Sequence, residues 1–244
     1  MKQFTKNICL IGSSDLLIYF AAELLKIKIN VTIISSETHS ASFLNNKNFQ
    51  ILLKSKIDFK IIKNINKIKN LRKIFNKSST AICFGSRWIF SEKIINFFSG
   101  RIYNVHPMPL PKYMGGAHYT WQILNKNKEG GVFLQKITKK LDCGPILFNK
   151  KYTLTNKDIL PKHYFQKSLY FGKLFIDQII KKLKNNKNNE IKNFKKRFEK
   201  REYFPRLMTK KNAFINWNWS ARDILLFCNS FDSPYPGAMT FHGK

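Results

Sequence analysis

Asn7-Ile8-Cys9-Leu10-Ile11-Gly12-Ser13-Ser14-Asp15 is a short apolar run that stops at a glycine and passes into residues that cap helices. A run of this length reads as a buried strand, and the serines and Asp15 then start a helix carrying Leu16 to Leu25. Val31-Thr32-Ile33-Ile34 follows as a second strand. Strand, glycine, helix, strand is the opening of a parallel, right-handed α/β unit. The triple-glycine dinucleotide fingerprint is absent, so nicotinamide cofactors are not expected.

Outward from that unit the pattern continues. Residues 45–77, rich in Lys, Asn and Ile, read as a helix, a short strand at Phe59–Ile62 and a second helix. Thr80–Gly85 is a further buried strand, Ser91–Phe98 a helix, Arg101–His106 a strand and Ala117–Leu124 a helix. Gly131–Ile137 and Pro145–Phe148 read as strands. Phe165, Leu169, Phe175, Ile179 and Leu183 recur at nearly helical spacing as the core stripe of a long helix. In the tail, Ile215, Trp217 and Trp219 alternate as a strand face and core, and Ser220-Ala221-Arg222-Asp223 opens a helix. Asp232–Gly237 turns the chain, and Ala238–Phe241 begins a last strand. The expected fold is α/β, Rossmann-like with a mostly parallel sheet, plus a small C-terminal α+β appendage. The expected organisation is a catalytic domain at 1–183, a basic linker at 184–203 and a C-terminal subdomain at 204–244.

With 244 residues, 43% hydrophobic and 14% aromatic, the chain has the means to bury a substantial core. Its formal charge of +30 attracts anions. The Lys and Asn are spread evenly, as in Asn64-Ile65-Asn66-Lys67-Ile68-Lys69-Asn70, so this charge marks no dedicated nucleic-acid surface. The Lys/Arg-rich run 181–202 reads as solvated linker, with tRNA contact the lesser reading. Cys9, Cys83, Cys143 and Cys228 form no Cys-x-x-Cys pair, so neither a metal site nor a disulfide framework is expected. Asp15 and Glu23 interrupt the first apolar patch, and no segment has the length of a membrane span, so a cytoplasmic protein is expected.

Asn104-Val105-His106-Pro107 falls at the C-terminal end of a predicted strand, where open α/β sheets bind ligands. Leu141-Asp142-Cys143-Gly144 follows in a later loop. An amide, an imidazole and a carboxylate suffice to move an acyl group onto an amine. The amide donates to the developing oxyanion, the imidazole handles a proton, and the carboxylate orients the imidazole. Asp142 also fits a plain turn residue ahead of Gly144. Cys143 has no second histidine to activate it as a nucleophile. His118 reads as a helix-start residue that could contact an acceptor, and His39, His163 and His242 have no supporting context.

Asn104-Val105-His106-Pro107, Leu110-Pro111, Gly115 and Leu141-Asp142-Cys143-Gly144, in that order, resemble the folate-dependent formyltransferases. The tail from Ile215-Asn216-Trp217 to Pro234-Tyr235-Pro236-Gly237-Ala238 is similar to the C-terminal region of the tRNA- and amino-sugar-modifying members. The resemblance implies 10-formyltetrahydrofolate as formyl donor, no metal, and a primary amine as acceptor. It makes His106 the catalytic imidazole, Asn104 the donor to the formyl oxygen and Asp142 the tuning carboxylate. It implies a pterin lying between the Phe84, Gly85, Ser86, Trp88, Ile89 loop and the backbone of Lys140 and Leu141. Met108, Pro111, Met114, Gly115 and Gly116 form the loop facing the acceptor. This chain departs from the family there, with Met108-Pro109-Leu110-Pro111 in place of Ser-Leu-Leu-Pro and Met114 in place of a basic residue. The chain leaves no room for the RNA-binding barrel of the tRNA-modifying members, so the favoured acceptor is a small molecule, a nucleotide-linked amino sugar. Methionyl-tRNA formyltransferase, 10-formyltetrahydrofolate hydrolase and a non-catalytic basic binding protein are the alternatives.

Overall fold

A computed structural model describes residues 7–55, 57–116, 118–184 and 201–241. It resolves into two units. The first is built from 1–106, 133–150 and 172–196, the second from 107–132, 151–171 and 197–244. Each unit therefore collects separated stretches of sequence. The expected linear division into 1–183, 184–203 and 204–244 has most of its linker, 185–200, outside the described residues.

The chain runs β1 (Asn7–Gly12), α1 (Asp15–Lys26), β2 (Asn30–Ser36), α2 (Glu37–Leu44), α3 (Lys47–Leu53), β3 (Asp58–Ile62), β4 (Thr80–Phe84), α4 (Glu92–Phe97) and β5 (Ile102–His106). It continues through β6 (Met114–Gly115), α5 (His118–Leu124), β7 (Glu129–Lys136), β8 (Ile146–Thr153), α6 (Pro161–Lys184), β9 (Tyr203–Phe204), α7 (Thr209–Asn212) and α8 (Ala221–Ser230). The main sheet has the order β3-β2-β1-β4-β5-β7-β8. Strands β3 to β5 pair in parallel, and β7 pairs antiparallel with β5. Strand order reverses between β1 and β4, which makes their carboxyl ends the natural ligand crevice.

The opening stretch folds as it reads. Ser14 caps α1 by accepting from the Leu17 amide at 3.1 Å. A Cβ on Gly12 (φ +127°) would stand 2.1 Å from the Phe84 carbonyl oxygen, so the close approach of β1 to the end of β4 requires glycine. One face of the first unit is a core of Cys9, Ile11, Ile34, Ala81, Cys83, Phe90, Ile94, Phe98 and Ile102. Burial pushes both thiols up, Cys83 well above its ordinary value, so these cysteines behave as small hydrophobes.

One expectation for this unit changes, and one helix is added. The helix expected after β3 is instead two single turns, Ile65–Lys67 and Leu71–Lys73. Asn64 and Asn70 each accept a backbone hydrogen bond two residues on, and asparagines that cap locally compete with a continuing helix. Glu37–Leu44, which carries no clear periodicity, forms α2.

The second unit packs Ile123, Leu154 and Tyr164 in one cluster, and Ala213, Phe227 and Phe231 in another. Along α6 the buried stripe begins at Tyr164, 1% exposed, while Phe165 is 42% exposed. Tyr164 packs with Ile123 and Leu154, and its hydroxyl donates to the Asn127 carbonyl. In the tail, Ser220 caps α8 by accepting from the Asp223 amide. The expected strand over Ile215–Trp219 is a turn, and Ala238–Phe241 contributes only an isolated bridge, Phe214 to Met239. Trp217, expected in the core, is 64% exposed with its indole N–H on Thr240 Oγ1, and Trp219 meets Phe227 edge-on.

Candidate active site

Side chains alternate along a strand, so Ile102, Asn104 and His106 share one face of β5. Ile102 lies in the core; two and four residues on, toward the carboxyl end of the strand, that face turns polar. The pairings Asn104 to Gln135 and His106 to Phe133 put Gln135 on the same face.

Asp142 arrives on the loop after β7, which the first unit holds in several ways. The Ile137 amide donates to the Ile102 carbonyl, and the Lys136 amide to the Pro145 carbonyl, both at 2.9 Å. Lys139 pairs with Glu92 at the surface. A Cβ on Gly144 would lie 1.6 Å from the Lys136 carbonyl oxygen, so only glycine closes this loop. Asp142 itself takes φ +50°, a left-handed conformation that aspartate tolerates better than most residues.

The result is a buried pair. Asp142 Oδ1 stands 3.9 Å from His106 Nδ1, with side-chain exposures of 7% and 4%. Two unit charges about 4 Å apart interact by about 1 kcal/mol in water and roughly 4 kcal/mol at an effective dielectric of 20. At this separation the buried carboxylate is placed to orient the imidazole. Gln135 Nε2 donates to the same Oδ1 at 2.7 Å. Sequence reading misses Gln135; its one signal is a polar residue ending the buried run Val132-Phe133-Leu134. Asn104 is half-buried on the same face.

The loop expected to face the pterin is placed at the carboxyl end of β4. The Phe84 ring is buried and tilts on Phe20, so only its backbone can serve a ligand; its carbonyl accepts from the Ser13 amide. Gly85 takes φ +62° and is exposed. Ser86 Oγ accepts from the Trp88 amide, and Trp88 packs against the core. Asn66 braces the segment, donating to the Ile89 carbonyl and accepting from the Ser91 amide. Ile89 is 68% and Leu141 42% exposed, two large apolar side chains left bare at the ends of these loops. The Lys140 carbonyl already accepts from Thr138 Oγ1 and the Cys143 amide.

Met108, Pro111, Met114, Gly115 and Gly116 belong to the second unit. Met108 and Met114 are buried, so their side chains serve packing. The segment 202–206 clasps this loop: the Glu202 amide donates to the Pro111 carbonyl, and Met114 and Gly116 amides donate to Glu202 and Phe204 carbonyls. Phe204 stacks on Tyr113 at 4.8 Å. Gly115 is obligatory, since a Cβ there would stand 2.3 Å from the Phe204 carbonyl oxygen. His163, without context in sequence, caps the start of α6 by accepting the Ile159 and Leu160 amides on Nδ1. His118 begins α5, and His242 lies outside the described residues.

A profile of the formyl transferase family matches residues 30–167, and one of the formyl transferase C-terminal domain matches 207–244. The chain is 31% identical over 224 residues to the bifunctional polymyxin resistance protein ArnA of Wigglesworthia glossinidia brevipalpis, covering 88% of this chain and 33% of that one. It is 30% identical over 180 residues to a methionyl-tRNA formyltransferase of Thermodesulfovibrio yellowstonii, covering 74% of this chain and 56% of the other. It thus spans between a third and little over half of these relatives. An N-formyltransferase from Helicobacter canadensis, solved with folinic acid and dTDP-3-aminofucose, shares the fold at TM-score 0.69 and 19% identity, over 92% of this chain and 80% of that one. No helix among the described residues is long and apolar enough to cross a membrane.

Proposed function

This chain belongs to the formyl transferase family, and from that premise we propose that it passes the formyl group of 10-formyltetrahydrofolate to a primary amine on a nucleotide-linked sugar. The observation that carries the reading is the buried His106–Asp142 pair at 3.9 Å beside Asn104, two residues away on the same strand face. The amine attacks the formyl carbon, and the carbonyl π pair moves onto oxygen. The Asn104 amide donates to that oxygen. His106 takes the proton the amine must lose and returns one as the C–N10 bond breaks, so that the folate leaves as a neutral amine. Asp142 orients the imidazole and offsets its charge.

The donor crevice in this reading runs along Gly85 and the exposed Ile89 and Leu141, apolar flanks suited to a flat heterocycle. The amino-sugar acceptor draws support from the fold shared with an N-formyltransferase solved with an amino-sugar nucleotide. A charged initiator tRNA is the second reading, favoured by the methionyl-tRNA formyltransferase relatives and the charge of +30.

The test is turnover of 10-formyltetrahydrofolate with no acceptor, with nucleotide-linked amino sugars and with charged initiator tRNA, each repeated with His106→Ala. Sugar-dependent turnover that the variant abolishes is expected. Dependence on tRNA alone replaces the acceptor, acceptor-independent turnover replaces transfer with hydrolysis, and no turnover under any condition overturns the reading.

A further inference from the structure

Gln135 is 2% exposed and ends a buried apolar run. An amide in such a place is costly unless its hydrogen bonds are made, since each unsatisfied group forfeits about 1–3 kcal/mol. Gln135 makes one bond with its nitrogen, to Asp142 Oδ1 at 2.7 Å. Its Oε1 is buried and finds no hydrogen-bond partner among the described residues. A leucine would fill the position without that penalty, so packing does not explain the residue.

The bond it does make explains it better. Gln135 Nε2 and His106 Nδ1 converge on the same carboxylate oxygen, at 2.7 Å and 3.9 Å. Asp142 sits on a loop in a left-handed conformation, outside the sheet that carries His106. The amide is delivered from β7, a strand paired directly with the one that carries Asn104 and His106. We propose that Gln135 is a positioning residue: it holds the Asp142 carboxylate where that group can steer the His106 imidazole, and acts on the reaction only through Asp142. This rests on the formyl-transfer reading of the site.

The test is a double-substitution cycle on the full chain. Gln135→Leu is expected to lower kcat by about 10- to 100-fold, the cost of misplacing a group by roughly an ångström, with KM for 10-formyltetrahydrofolate unchanged. In an Asp142→Asn background the same change is expected to have no further effect. Gln135→Met, similar in volume, replaces the leucine variant if that folds poorly. A second readout needs no turnover: the His106 titration midpoint, followed by imidazole NMR, is expected to shift in Gln135→Leu in the direction it shifts in Asp142→Asn. Full additivity in the cycle, or a His106 midpoint identical to wild type, overturns the proposal. Absence of wild-type turnover fails the formyl-transfer reading instead, and the NMR comparison still decides the role of Gln135.

Discussion

Asp142 concentrates the demands of the site. Its φ of +50° costs on the order of 1 kcal/mol, and that cost is sustained by a loop closed at Lys136 and Pro145 with no room for a side chain at Gly144. Gly144→Ala must therefore move the loop. It is expected to lower the melting temperature and to cut kcat at least about tenfold through displacement of Asp142, read by thermal unfolding beside the turnover assay. Asn104→Ala removes the proposed oxyanion donor and is expected to cost about 100- to 1,000-fold in kcat with little change in KM for the folate. Unchanged kcat would assign the oxyanion to another donor. Asn104, His106 and Asp142 were legible in sequence because their order and chemical types are distinctive. Gln135 was not, because its meaning depends on a cross-strand partner and on a loop that folds back to it.

Among the elements, the entry to α6 shows how local capping outweighs periodicity. Asp158 accepts from the Thr155 amide and hydroxyl and from Lys167 Nζ at 2.6 Å. Burial works against its charge, but Lys167 and Thr155 outweigh it and hold the carboxyl below its ordinary value of 3.8. A depressed acid is bound to fewer protons when folded, so its contribution is present above the ordinary value and is lost as pH falls through the folded one. The melting temperature of wild type is expected to drop more steeply than that of Asp158→Asn as pH falls below about 4; parallel curves would remove Asp158 from the acid response. The Asn-rich run 64–70 is similar. In sequence it looks like compositional noise, yet Asn64 and Asn70 cap turns and Asn66 braces the loop at Ile89. A helix was expected there because periodicity ignores side chains that bond their own backbone.

On the scale of the whole chain, residues about ninety positions apart in sequence are paired: β9 joins β6, and Phe204 stacks on Tyr113 in the loop that follows His106. Phe204→Ala is expected to raise KM for the acceptor several-fold while leaving KM for the folate unchanged, because Phe204 packs on that loop at Tyr113 and on Trp121 beside it; equal changes in both would indicate general unfolding. Charge gives a second discriminator. If the acceptor is tRNA, its KM should rise steeply with salt as phosphate contacts release counterions, whereas a sugar nucleotide carries few charges and predicts a shallow slope.

The sequence by itself determined the strand–glycine–helix opening, the parallel sheet and the chemical identity of Asn104, His106 and Asp142, because these rest on local periodicity, capping and residue type. Tertiary structure decided what local pattern cannot encode: that Trp217 is exposed and Tyr164 buried, that Met108 and Met114 are packing residues, that 202–206 clasps a distant loop, and that Gln135 shares Asp142 with His106. Each of these depends on which surfaces and hydrogen-bond partners long-range pairing brings together, and such partners are set by the register of the assembled sheet.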